Sequence, residues 1–144
     1  MDDRSPLDRK AEVLREVSLF SDLDGHSLEA ISVLAREVEV PAEQVLMLEG
    51  EPGDAFYVIV EGTIRIERGD RVIRSIQAGG FVGEIALLDH RPRSATAVCV
   101  TDCRLLALQQ HEFDRLIDTF PAVHRRVRAA IARRAGAAGG DSLV

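Results

Sequence analysis

Apolar residues along the chain fall into three successive spacings. Leu7, Ala11, Leu14 and Val17 recur every three or four positions with charges between them, which predicts an amphipathic helix over 7–20. Ser21-Asp22-Leu23-Asp24-Gly25 interrupts it, and Leu28, Ile31, Leu34 and Ala35 predict a second helix over 28–38. From Glu37 the period drops to two. Residues 38–40, 44–48, 55–60, 63–67 and 71–76 read as short strands, parted by Pro41, by 49–54, by Glu61-Gly62 and by Arg68-Gly69-Asp70, all turn formers. Ile64 and Ile66 alternate with Arg65 and Glu67, so that strand buries one face. Two further strands, 95–100 and 104–108, meet at Thr101-Asp102. Helical spacing then returns. Phe113, Leu116, Ile117 and Phe120 mark a helix over 110–120. Pro121 suits the next helix start, and Val123, Val127, Ala130 and Ile131 form its apolar stripe over 122–135. Gly136-Ala137-Ala138-Gly139-Gly140-Asp141 predicts a fraying polar tail over 137–144. Many short strands at even spacing point to an antiparallel barrel or roll with helices at both ends.

Composition narrows what such a roll does. With 144 residues, the chain is long enough for one self-sufficient core. A net charge of −6 argues against general affinity for nucleic acid. No stretch approaches the ~20 apolar residues of a membrane span, and MDDRSPLDRK lacks the apolar core of a secretion signal; the expectation is a cytoplasmic protein. Cys99 and Cys103 are too few for a four-thiolate cluster. Cys99, between Val98 and Val100, reads as a packed thiol, and Cys103, at a turn, as the more exposed one. His26, His90, His111 and His124 are scattered without metal-ligand or nucleophile-base spacing, so neither a metal nor an enzyme is expected.

The chemistry concentrates in residues 81–96, FVGEIALLDHRPRSAT. Gly83 opens a short apolar run that fits one or two helical turns, whose first amides lack intrahelical acceptors and favour an anion. Gly83 also lets the backbone approach a ligand. Glu84 sets a carboxylate beside that turn, suited to ribose hydroxyls. Arg93, fixed after Pro92, offers a planar fork for a phosphate, and Ser94 adds a hydroxyl. Singly, each has a plainer reading, since GEIALL fits a buried turn and Glu84 with Arg93 a surface ion pair. Their combination is what points to a nucleotide with one phosphate charge.

Gly83-Glu84-Ile85-Ala86-Leu87-Leu88, three residues, then Pro92-Arg93-Ser94-Ala95-Thr96 closely resembles, without a gap, the phosphate-binding cassette of the cyclic-nucleotide-binding domain family. The resemblance covers roughly residues 17–134. It implies a mainly β fold, a double-stranded β-roll of jelly-roll type with flanking helices, and one domain over 1–136. Gly83 and Glu84 would contact the ribose, the amides of Ile85 and Ala86 the phosphate oxygens, and Arg93 and Ser94 the phosphate. Ile66 and Ile73, on neighbouring strands, would lie beneath the base. No metal is implied. Ser94 follows the arginine, where a hydroxyl residue can help recognise guanine, yet adenine-binding members carry Ser there too, so cAMP is favoured over cGMP. The last helix has no aromatic to cap the base, leaving Ile131, Arg134 or Ala138 as candidates. Only residues 136–144 follow that helix, which leaves no room for a DNA-binding module. The expectation is therefore a regulatory sensor, stand-alone or cut from a longer chain, that signals to a partner protein or effector through its terminal helices. A homodimer is one form of such an assembly. A haem or redox sensor on the same fold is the alternative reading, and a hydrolase the weaker one.

Overall fold

A computed structural model of the chain describes residues 6–137. The elements run α1 (Pro6–Arg15), a 3-10 turn (Ser18–Phe20), α2 (Gly25–Leu34), β1 (Arg36–Val40), β2 (Val45–Met47), β3 (Ala55–Glu61), β4 (Thr63–Arg68), β5 (Arg71–Gln77), β6 (Phe81–Val82), α3 (Glu84–Asp89), β7 (Thr96–Cys99), β8 (Cys103–Gln109), α4 (Gln110–Thr119) and α5 (Pro121–Ala137). The strands form two four-stranded sheets, ordered β1-β8-β3-β6 and β2-β7-β4-β5. Every ladder is antiparallel. Apart from the β4–β5 hairpin, successive strands lie in opposite sheets, so the fold is the expected jelly-roll type of β-roll.

The first sheet is covered on both faces, which explains why β3 reads Ala-Phe-Tyr-Val-Ile-Val with no charge between. Phe56 and Val58 face the helices, whereas Tyr57 and Ile59 face the second sheet. β8 divides likewise, with Leu106 and Leu108 outward and Cys103 and Leu105 inward. Phe56 is the centre of the helix-side core, its ring 5.8 Å from that of Phe81 and 5.3 Å from that of Phe113. The second sheet buries only its inner face. Ile64 and Ile66 point in, while Arg65 and Glu67 stay on the outside and pair at 2.7 Å.

Four sequence expectations shift. The first helix ends at Arg15, and a separate turn carries Leu19 and Phe20 into the core. The second helix begins earlier, where the Asp24 carboxylate accepts from the Ser27 amide at 2.7 Å. It ends at Leu34 because residues 36–40 pair with β8, a tertiary ladder that local periodicity does not reveal. Cys103 is only 4% exposed, since the roll closes over the turn beside it. The last helix continues through Gly136 to Ala137. The expected tail residues 138–144 lie outside the described residues.

Candidate functional site

β6 pairs with Tyr57 and Val58 of β3 and delivers Gly83 to the start of that strand. There Gly83 caps α3 at φ 101°, a conformation that side chains resist. A Cβ on it would lie 2.8 Å from the Ala55 carbonyl oxygen and 2.9 Å from Arg93 Nη1. The loop before β3 closes the other side. Gly50 N–H donates to the Arg93 carbonyl and Arg93 N–H to the Glu51 carbonyl, both at 2.8 Å, and Pro52 bridges Pro92. Gly53 is as tightly placed, because a Cβ there would be 2.4 Å from that of Ala86.

Arg93 is thus held from both sides and is 5% exposed. Its Nη1 donates to the Gly83 carbonyl at 3.1 Å and its Nη2 to the Ala55 carbonyl at 2.6 Å. Asp54, largely in solvent, reaches Nη2 at 3.6 Å. Burial lowers the arginine's pKa, and the charges of Asp54, Tyr57 and Glu84 oppose that shift. Glu84 is itself fully buried. Both residues are interior, so the surface ion pair is excluded as their role. The Tyr57 hydroxyl, half-buried near this cluster, is pushed up by burial first and by Asp54 second.

The fold gathers the other expected residues around this point. Ile85 and Ala86 are buried in the first turn of α3. Ser94 is half-buried, and its carbonyl accepts from Arg68 Nε at 3.0 Å. Ile66 and Ile73 lie on adjacent strands of the second sheet, Ile66 fully buried and Ile73 partly so, both in the cluster between the sheets. Ile131 instead packs against the helix-side cluster. Of the other capping candidates, Ala138 and the side chain of Arg134 lie outside the described residues. His90 ends α3 in the left-handed region at φ 52° and is exposed.

Several neighbours were not singled out from sequence: Gly53 and Asp54 from the loop before β3, the carbonyl of Ala55 at the first residue of β3, and Arg68 at the last residue of β4. The Gly-Asp pair immediately before a strand was the one available signal. Two contacts tie the cassette to the C-terminal helices. Gln110 Nε2 donates to the Leu87 carbonyl at 3.0 Å, and Arg128 pairs with Asp89 at 3.1 Å. Among the described residues no group of His, Cys, Asp and Glu is arranged to hold a metal ion, and no helix is long and apolar enough to cross a membrane.

A two-sheet roll whose short helix starts against a buried arginine defines a small-ligand regulatory domain. A family profile described as Cyclic nucleotide-binding domain matches residues 37–120, and the chain belongs to that family. The regulatory subunit of the cAMP-dependent protein kinase of Aspergillus fumigatus is 35% identical over 115 residues, 78% of this chain and 28% of its own length. A cyclic nucleotide-gated potassium channel of Rhizobium etli is 35% identical over 129 residues, 89% of this chain and 36% of its own. Among solved structures, the catabolite activator protein of Thermus thermophilus superimposes with a TM-score of 0.78 at 30% identity, over 84% of this chain and 59% of its own. This chain therefore spans about a third or less of those two sequence relatives. It is a cyclic-nucleotide-binding regulatory domain.

Proposed function

We propose that the domain prefers cAMP to cGMP and passes ligand binding to a partner protein or effector through its terminal helices, as a non-catalytic sensor acting in the cytoplasm. Gly83, Glu84, Ile85, Ala86, Arg93 and Ser94 would receive the ribose and phosphate, and Ile66 and Ile73 the base. The observation that carries this reading is Arg93, a buried guanidinium held by two carbonyls at the mouth of a helix whose N-cap must be glycine. The kinase and channel relatives are regulated proteins by name, which supports a regulatory role toward an attached or separate effector. The Gln110 and Arg128 contacts supply a physical route from the cassette to α4 and α5. A haem-type sensor has no comparable support in the described residues. Calorimetric titration with cAMP, cGMP and 5′-AMP tests the reading. Both cyclic nucleotides should bind, cAMP the tighter, and 5′-AMP weakly. Equal binding of 5′-AMP would sink it.

A further inference from the structure

The cassette leaves for β7 through a bend that belongs to neither sheet. Pro92 still bridges Pro52 and β7 starts at Thr96, while Ser94 and Ala95 between them lie outside both ladders. The peptide before Ser94 is held by main chain. Gly50 N–H donates to the Arg93 carbonyl at 2.8 Å. Because that peptide is planar and trans, the Ser94 amide points the opposite way, out of the 50–51 loop. The peptide after Ser94 is held by a side chain, since Arg68 Nε donates to the Ser94 carbonyl at 3.0 Å. Register explains how Arg68 reaches it. Glu67 stands opposite Thr96 in the β4–β7 ladder, so β4 runs one residue past the start of β7 and Arg68 lies beside the bend. The turn that follows is itself anchored. Glu49 Oε1 accepts from the Gly69 amide at 3.1 Å, and the Glu49 amide donates to Thr96 Oγ1 at 2.9 Å. The end of β4, the 48–51 loop and the cassette exit thus close a ring of hydrogen bonds around Ser94. Arg65, on the same strand, stays on the outer face with Glu67.

We propose that Arg68 is a positioning residue for the phosphate end of the ligand, holding the Ser94 carbonyl from β4 and so aiming the Ser94 amide and hydroxyl. This rests on the proposed nucleotide site. Two peptide planes meet at the Ser94 Cα, and their orientations set its φ and ψ. A main-chain donor, which no substitution removes, holds the first plane, and Arg68 holds the second. A guanidinium donates and never accepts, so it suits a carbonyl oxygen, and its charge strengthens the bond. That charge also lies against the negative end of a carbonyl one residue from Arg93, where it favours an anion nearby. Arg68 acts through Ser94 and the cassette backbone, not through the base.

Calorimetric titration with cAMP, paired with the phosphorus NMR signal of the saturated complex, tests it on three variants. Arg68→Met removes donor and charge at similar bulk, Arg68→Gln restores a donor without the charge, and Arg65→Met removes a charge from the outer face of the same strand. Arg68→Met should weaken cAMP by about tenfold and move the phosphorus signal, because the amide aimed at the phosphate is displaced. Arg68→Gln should recover most of the affinity and return the signal toward the parent's. Arg65→Met should match the parent in both. A purely structural role would lower stability yet leave the phosphorus signal of the saturated complex in place, and that result overturns the assignment. Parental affinity in Arg68→Met, a glutamine variant as weak as the methionine one, or an equal loss from Arg65→Met would overturn it too, with the nucleotide site left standing. If the methionine variant does not fold, proton exchange at the Arg68 Nε–H of the parent decides the matter. It should slow when cAMP is added, and a rate indifferent to the nucleotide overturns the proposal. A parent that binds neither cAMP nor cGMP overturns the functional reading itself, and this inference with it.

Discussion

Arg93 is both buried and charged, and its contacts are as much structural as functional. Sequence alone casts it as a phosphate ligand that can be replaced without harm to the fold. Its two bonds to the carbonyls of Gly83 and Ala55 change that expectation. Arg93→Leu should leave those carbonyls without their donor and destabilise the domain by about 1–3 kcal/mol, besides removing most nucleotide affinity. Arg93→Lys keeps the charge but loses the fork, so stability should suffer less while binding stays weak. Urea denaturation paired with nucleotide titration separates the two effects, and an unchanged midpoint for the leucine variant would show the carbonyl contacts to be unimportant. Gly83→Ala is the sharper test of geometry. Its positive φ costs roughly 1–2 kcal/mol for any side chain, and the added carbon meets Ala55 O and Arg93. A lower thermal midpoint and loss of nucleotide binding are both expected.

At the scale of elements, α5 is the connector. Val127 is fully buried and Ala130 nearly so in the helix-side core. Arg126 donates to the Leu19 carbonyl at 3.2 Å and pairs with Asp22 in the turn after the 3-10 segment. Arg128 reaches across to Asp89 of α3. Val127→Ala should cost about 1–3 kcal/mol through lost burial and a residual cavity. Arg128→Ala breaks a largely exposed pair and should cost under about 1 kcal/mol. Ile131 faces the helices and not the second sheet, so Ile131→Ala should weaken α5 docking yet leave release of a fluorescent cyclic nucleotide little changed. Stopped-flow release measures this, and a large acceleration would restore Ile131 as a cover for the base.

For the whole molecule, the two cysteines report on closure of the roll. Cys99 and Cys103 come from different sheets and meet in the interior. Burial first, and the neighbouring thiol second, push Cys99 from an ordinary value of 9.0 up to about 12. The folded state therefore keeps its proton where the unfolded chain has lost it. The associated stability is fully present below about pH 9 and is lost as pH rises from there toward 12. Denaturation midpoints measured across that range should fall more steeply for the parent than for Cys99→Ala. A thiol reagent at pH 8 should label the native protein slowly and the denatured protein fast.

The sequence by itself determined the local matters. The cassette spacing named the family, because a glycine cap, an acid and an arginine after proline are set by short-range geometry. Among the described residues, the period-two runs gave seven of the eight strands to within two residues at either end. The two-residue β6 was hidden inside the cassette, as a strand that short carries no period. Tertiary structure decided everything that depends on partners. Residues 36–38 became strand because β8 lies alongside them, and residues 18–20 form a separate turn that buries Leu19 and Phe20 in the helix-side core. Asp54 and Ala55 joined Arg93 across 38 or more positions of sequence. Arg68 looks, in sequence, like one more charge on a hairpin; the register of Glu67 against Thr96 sets it beside Ser94, and no local pattern encodes which strand will stand opposite.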